Sequence, residues 1–348
     1  MKTVYVGLSG GVDSAVSAAL LKEQGFDVVG AFIKIWSPEF IECTWQEDRL
    51  DAMRVCAALQ IPFREIDLSE EYKREVVRSM IEDYQRGITP NPDVLCNRSI
   101  KFGHFATWAF ASGADRVATG HYARIREVNG QFKLLRALDP NKDQSYFLYR
   151  LGQSDLSRTL FPIGGYKKSD VRALAKKFDL PNAEKPDSQG LCFVGDVSMK
   201  DFLGRFITLL PGDVVDENGK IVGTHDGAAL YTVGERHGFT SAGSEPKYVV
   251  GTDVPKNIVH VSSKREAAAR RFVSLLEPSW VHGTPAFPLS ASGQARYREP
   301  PFRVSIEARK SALVATFESP RIAAPGQSLV LYDGDTCLGG GIINNASA

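Results

Sequence analysis

Val4-Tyr5-Val6-Gly7-Leu8-Ser9-Gly10-Gly11-Val12-Asp13-Ser14 opens the chain with a short apolar strand that runs directly into a glycine pair and a small-residue helix. The glycines let the backbone turn tightly and approach a ligand with no Cβ in the way. Exposed N–H groups at a helix start, together with the helix dipole, make an anion site. Ser9 and Ser14 can add hydroxyl donors. No lysine follows the glycines, so the stretch is neither a Walker A loop nor a GxGxxG fingerprint. A plain strand-to-helix turn with a Ser/Asp cap would share most of these features. Asp13 sits badly beside phosphate unless a cation intervenes, so Mg²⁺ is expected there.

Outward from this loop, strand and helix patterns alternate. The spacing predicts a helix over Ser14–Gln24 closed by Gly25, a strand over Val28–Ile33, a helix over Asp48–Leu59 and a strand over Pro62–Leu68. A long helix over Glu70–Arg86, a helix over Ile100–Ala111 and a short strand over Arg116–Gly120 follow. Strand–helix units with short connections predict an α/β fold with a doubly wound parallel sheet. Two strand-like runs within Ala123–Leu138 flank Asn129-Gly130, the strongest short hairpin signal. Helical patterns return at Lys168–Phe178 and Met199–Phe206. Beyond Leu209 helical periodicity fades and turn pairs take over: Asn218-Gly219, Asp226-Gly227 and Asp333-Gly334. The expected units are an α/β domain over 1–207, a small central β-rich domain over 208–267, and an all-β barrel or sandwich over 268–348.

The 348 residues are 43% apolar and 24% charged, as in an ordinary folded protein, and the net charge of +1 gives no global basic field for nucleic acid. The start, MKTVYVGLSGG, has no apolar signal core, and no apolar run approaches a membrane span, so a cytoplasmic protein is expected. Five scattered cysteines, Cys43, Cys56, Cys96, Cys192 and Cys337, fit a reducing compartment better than a disulfide framework. No CxxC pair or clustered His/Cys spacing predicts a structural zinc site.

Two stretches place cysteines in polar loops. In Thr89-Pro90-Asn91-Pro92-Asp93-Val94-Leu95-Cys96-Asn97 the prolines fix the backbone, and Asp93 precedes Cys96 by three residues at the entry to a helix. A thiol near a helix N-terminus is more reactive, although a lone cysteine is more often an inert small hydrophobe. Asp187-Ser188-Gln189-Gly190-Leu191-Cys192-Phe193 is the second stretch. Cys56 fits an amphipathic helix and reads as core.

SGGVDS is the signature of the PP-loop ATP pyrophosphatases, which cleave ATP between its α- and β-phosphates. With TPNPDVLCN, IKFG, GHYAR, KDQSYFL, SQGLCF and the C-terminal CLGGGII, in that order over essentially the whole chain, the sequence resembles the tRNA-specific 2-thiouridylase family. The resemblance implies that ATP adenylates the wobble uridine of tRNA and that sulfur then replaces its 2-oxygen. It implies that Gly7, Leu8, Ser9, Gly10, Gly11, Val12, Asp13 and Ser14, with Ile33 and Gly120, hold ATP. Cys192 would carry a persulfide received from a sulfur-donor protein, and Cys96 would free the sulfur, leaving a Cys96–Cys192 disulfide. Asp93 would be the acid/base, and Asn91, Pro92 and Asp93 would line the uridine pocket, which requires the base to be flipped out.

The resemblance also puts His121, Lys142, Asp143, Gln144, Arg296, Tyr297, Arg298 and Gln327 near tRNA. Taken alone, His121 reads equally as a packed histidine, Lys142-Asp143-Gln144 as a solvated loop, and Arg296-Tyr297-Arg298 as an exposed strand alternating cation and aromatic. The family's YTxGQR run stands here as Tyr231-Thr232-Val233-Gly234-Glu235-Arg236, and the added carboxylate would weaken a phosphate contact there. The alternatives are another PP-loop adenylating ligase, acting on a small molecule or another RNA base, or an inactive RNA-binding relative.

Overall fold

The computed structural model describes residues 1–40, 45–187, 197–241, 245–309 and 312–344. In chain order the first strands are β1 (Thr3–Leu8), β2 (Asp27–Lys34), β3 (Phe63–Asp67), β4 (Arg116–Thr119), the hairpin β5 (Arg124–Val128) and β6 (Gln131–Leu135), and β7 (Thr159–Leu160). β1, β2, β3, β4 and β7 form one parallel sheet in the order β3-β2-β1-β4-β7. The helices between and after them are α1 (Val12–Glu23), α2 (Trp45–Leu59), α3 (69–85), α4 (92–111) and α5 (Lys168–Lys177).

The sheet is buried on both faces, and the period-2 alternation of its strands sorts side chains between two cores. Val4, Val6, Leu8, Val28, Phe32 and Ala118 face one core with α1, α2 and α5. Tyr5, Val29, Ala31 and Val117 face the other with α3 and α4. Cys56 is core as its helical position predicted. It packs against Gly30 of β2, and burial pushes its thiol up to about 11. The chain winds from β1 outward to β3, then returns to β4 on the other side of β1. Ligands bind open α/β sheets at such a reversal, at the carboxyl ends of the strands. The phosphate loop leaves β1 at that point and Gly120 leaves β4 beside it.

Two helices differ from the sequence pattern. α4 begins at Pro92, eight residues before the predicted start, because the Asn91 side chain caps the Val94 N–H at 3.4 Å and proline occupies the first helical position. Asp93 and Cys96 therefore lie inside the helix. Lys73–Val77 of α3 and Cys96–Phe105 of α4 are wound as wider π-helical turns, a form frequent at functional sites.

The second sheet has the order β10-β9-β8-β12-β11, from β8 (Gly212–Val215), β9 (Ile221–His225), β10 (Thr240–Ser241), β11 (Tyr248–Asp253) and β12 (Ile258–Ser262). Between it and the first sheet stands the short helix α6 (Met199–Leu203). The last six strands are β13 (Arg270–Trp280), β14 (Leu289–Gln294), β15 (Phe302–Arg309), β16 (Ala312–Arg321), β17 (Ser328–Asp333) and β18 (Thr336–Asn344). They close into a barrel through the β13–β18 pairing around Leu275, Val304, Ile306, Phe317, Leu329 and Leu331.

The Asn129-Gly130 hairpin is present, with both turn residues at positive φ (52° and 75°), as a type I′ turn demands. It leaves the first sheet altogether. β6 pairs with β18, Cys337 opposite Leu134, so the hairpin extends the barrel wall. Arg296-Tyr297-Arg298, expected as a strand, is instead a turn after β14 with Arg298 at φ 62°. Among the described residues no helix is long and apolar enough to cross a membrane.

Candidate active site

The loop after β1 is shaped by its own atoms. The Ser9 N–H donates to Ser14 Oγ at 3.2 Å, the Gly11 N–H to Ser9 Oγ at 3.4 Å, and Ser14 Oγ donates to the Gly11 carbonyl at 3.1 Å. Gly11 is the N-cap of α1 and no side chain caps the helix among the described residues, which leaves its first N–H groups for a ligand. Gly10 sits at φ 74°, and a Cβ there would stand 2.5 Å from the Asp48 carbonyl oxygen in the first turn of α2. A Cβ on Gly120 would meet the Ser14 backbone nitrogen at 2.6 Å, so the two loops touch backbone to backbone. Ile33 lies against Gly7.

Asp13 projects from the first turn of α1 into a charge cluster. Its Oδ1 accepts from the Tyr122 hydroxyl at 2.8 Å and from Lys168 Nζ at 2.7 Å. Lys168 also reaches Asp187 at 2.8 Å, and Lys142 (2.7 Å) and Arg172 (2.6 Å) bind the same carboxylate. Those partners, working against partial burial, hold the Asp187 carboxyl well below the usual range. The Lys168 ammonium thus stands beside Asp13. Among the described residues no three His, Cys, Asp or Glu side chains gather as a metal site.

The second loop is held by distant parts of the chain. The Thr89 N–H donates to the Pro325 carbonyl at 3.1 Å, and Gln327 Nε2 donates to the carbonyls of Thr89 and Pro90 at 3.0 Å each. Thr89 Oγ1 meets Thr232 Oγ1 of the central unit at 3.0 Å. The loop thus lies between barrel and central unit and delivers the chain to Asn91 and α4. Burial raises the Asp93 carboxyl pKa, with Lys101 opposing it. Lys101 acts also on His121, which follows β4. α4 itself reaches His121, because its Phe102 ring lies 6.0 Å from the imidazole. Cys96 is buried, nine residues along α4 from Phe105 (about 14 Å of helix axis at the α-helical rise), and the Phe105 ring reaches Gly7. Cys192 and Cys43 lie outside the described residues.

Several expected tRNA contacts are engaged inside the protein. His121 is buried between Phe102 and Phe161, bonds Thr119 Oγ1 through Nδ1 at 2.7 Å, and is kept neutral by burial. Lys142-Asp143-Gln144 is not a solvated loop. Gln144 accepts from the Tyr122 N–H at 2.9 Å, and Asp143 bridges Arg136, the Ala137 N–H and Ser145. Arg296 donates to the Val233 carbonyl at 2.7 Å, and Tyr297 packs on Phe147 at 4.5 Å. Arg298 is exposed.

Three family models match in succession: the tRNA methyl transferase HUP domain over residues 2–196, the tRNA methyl transferase PRC-barrel domain over 200–263, and the aminomethyltransferase beta-barrel domain over 270–343. The tRNA-specific 2-thiouridylase MnmA of Geobacillus thermodenitrificans is 44% identical over 98% of this chain and 94% of its own length. The chain belongs to the tRNA-specific 2-thiouridylase family. The Paraburkholderia xenovorans member is 45% identical over 99% of this chain and 94% of its own. Among solved structures, the U34-tRNA thiolase NcsA from Methanococcus maripaludis aligns at TM-score 0.36 and 20% identity, over 55% of this chain and 61% of that one.

In this 2-thiouridylase chain, sequence reasoning missed Tyr122, Lys168, Asp187 and Asn182. Asn182 is buried and donates to the Gly10 carbonyl at 2.9 Å. One signal was available. Lys168 opens α5, where the macrodipole disfavours a cation, so a lysine there asks for anions in front of it.

Proposed function

We propose that this chain thiolates the wobble uridine of tRNA at its 2-position, at the expense of ATP. A pyrimidine carbonyl oxygen is a poor leaving group. The uridine 2-oxygen therefore attacks the α-phosphate, and pyrophosphate departs into the loop Gly7–Ser14, with Ile33 and Gly120 flanking the nucleotide. The N–H groups of that loop are fixed before the charge arrives, which is how such donors lower a barrier. The Cys96 thiolate attacks the inner sulfur of a persulfide on Cys192, expelling hydrosulfide and forming the Cys96–Cys192 disulfide. Hydrosulfide adds to the activated carbon and AMP leaves. Two equivalents of an external thiol then reduce the disulfide, leaving as their own disulfide, and a sulfur-donor protein reloads Cys192. Asp93, with its carboxyl pKa raised, moves the proton. Asn91 and Pro92 shape the uridine pocket.

Asp13 bonds Tyr122 and Lys168 in this structure, and among the described residues no three His, Cys, Asp or Glu side chains gather as a metal site, so a Mg²⁺ ion would be held mainly by the nucleotide's own phosphates. We also take 1–207, 208–267 and 268–348 as the catalytic, central and tRNA-contacting units, with Arg298 exposed where Lys142 and Arg296 are partly buried.

What supports the reading is that α4, which carries Asp93 and Cys96 in its first turns, runs to the carboxyl edge of the sheet: its Phe102 ring lies 6.0 Å from His121, and its Phe105 ring reaches Gly7 at the start of the phosphate loop. The test incubates the protein with tRNA, ATP and a persulfide donor. It follows pyrophosphate and AMP release and searches digested tRNA for 2-thiouridine by mass analysis. The expected result is release that requires tRNA, with thiouridine formed. In Cys96→Ala and Cys192→Ala, thiouridine is lost while the fold remains. Thiouridine made by the double variant would end the assignment, and release without tRNA would favour a small-molecule ligase.

A further inference from the structure

We propose that Lys168 is a phosphate-binding residue of the reaction, held ready between Asp13 and Asp187 and handed to the pyrophosphate half of ATP. The inference rests on the nucleotide reading of the loop. Lys168 Nζ lies 2.7 Å from Asp13 Oδ1 and 2.8 Å from Asp187 Oδ1, and its backbone N–H donates to Asp139 Oδ2 at 3.0 Å. It is the first residue of α5, so the amino ends of α1 and α5 meet at Asp13. Two helix amino ends and an ammonium make a place where one carboxylate is a small substitute for a polyphosphate.

The arrangement around Lys168 is lopsided in a telling way. Asp187 has Lys142 and Arg172 as well as Lys168, so it keeps two cations when Lys168 departs. Asp13 keeps the Tyr122 hydroxyl. Asp187 is therefore not left bare when the flexible lysine side chain turns toward incoming phosphate, and Asp13, whose other side-chain partner among the described residues is a neutral hydroxyl, is balanced if Nζ stays between it and the phosphate. The PP-loop lacks the lysine that a Walker loop carries in its own sequence. Here that cation comes from a helix more than 150 residues away along the chain.

The test measures binding of ATP, inorganic pyrophosphate and adenosine by calorimetry in wild type, Lys168→Met, Lys168→Arg and Asp187→Asn. Loss of one charge-assisted contact should weaken pyrophosphate and ATP about ten- to a hundredfold in Lys168→Met, leave adenosine unchanged, and be partly restored in Lys168→Arg. Asp187→Asn loosens the lysine and should tighten pyrophosphate several-fold, and that gain should vanish in the double variant with Lys168→Met. Equal pyrophosphate affinity in wild type and a folded Lys168→Met overturns the proposal. So does a gain in Asp187→Asn that survives without the lysine. If wild type itself binds neither ATP nor pyrophosphate, the nucleotide reading has failed, a result distinct from either of these. Should Lys168→Met not fold, Lys168→Arg and Asp187→Asn carry the test, and unchanged affinity in both refutes it.

Discussion

The phosphate loop and the loop that opens α4 serve two halves of one proposed reaction, yet they are built in opposite ways. The first is mostly closed on itself: Ser9, Gly11 and Ser14 bond one another within six residues. The second makes its decisive bonds to Thr232, Pro325 and Gln327, 140 and more residues away. A loop bonded mostly to itself, with its remaining supports from Asn182, Asp48 and Gly120 of its own domain, is insulated from the barrel and the central unit. A loop strung between two other units takes its shape from how they sit. Nucleotide handling should therefore resist changes in the barrel, whereas base handling should follow them.

The largest expected effect tests the second loop at its centre. Asp93→Asn removes the proposed acid/base and should lower thiolation by roughly 10²–10⁴-fold, with ATP affinity unchanged. The same change should stabilise the fold. Burial raises the folded carboxyl pKa above its ordinary 3.8, so the penalty for ionising Asp93 is absent below that value. It grows as pH rises through it, and persists above the raised folded pKa. Asparagine carries no such penalty. Melting curves should show the variant gaining on wild type from acid to neutral pH. A gain that is flat with pH would remove the burial argument.

Gly10→Ala tests the first loop. Alanine at φ 74° costs about 1–2 kcal/mol in backbone strain alone. Its Cβ must also push the Asp48 backbone away from 2.5 Å. A displacement of that kind in a preorganised site is worth about a hundredfold in rate, read as loss of tRNA-dependent pyrophosphate release.

The difference between the loops also explains what the sequence could tell. The parallel sheet, the hairpin turn at Asn129-Gly130 and the glycine turn between β1 and α1 are local patterns of period and glycine, and their geometry stands as read. The early start of α4 was written in Asn91-Pro92, a cap followed by a proline at the first helical position, but two prolines in a row of polar residues read equally well as a rigid loop. The barrel pairing of β6 had no local signature, because a hairpin with two usable edges does not say which strand it will meet. The same holds for Lys142-Asp143-Gln144 and Arg296. Their charges look solvated in a row of letters, and only the fold shows that Asp187, Arg136, Tyr122 and Val233 receive them.

A smaller effect separates the loops directly. Gln327→Ala removes two bonds to the Thr89 and Pro90 carbonyls, about 1–3 kcal/mol together. On the argument from distant anchoring, KM for tRNA should rise about tenfold while ATP affinity stays within experimental error. A parallel fall in ATP affinity would show that the loops are not independent.

The smallest effect is expected at Glu235, where the chain departs from the family's glutamine. The sequence alone suggests a carboxylate facing RNA. Instead its Oε2 accepts from the Thr232 N–H at 2.8 Å, within the turn that presents Thr232 to Thr89, and burial raises its pKa while Arg296 and His237 pull it back. Glutamine retains an acceptor oxygen of the same reach and loses only the charge. If the carboxylate serves its own backbone, Glu235→Gln should change stability by no more than about 0.5 kcal/mol and KM for tRNA by less than about threefold. A tenfold gain in tRNA affinity, abolished at high salt, would mean that this face meets phosphate after all. The turn would then anchor RNA as well as the loop beneath it.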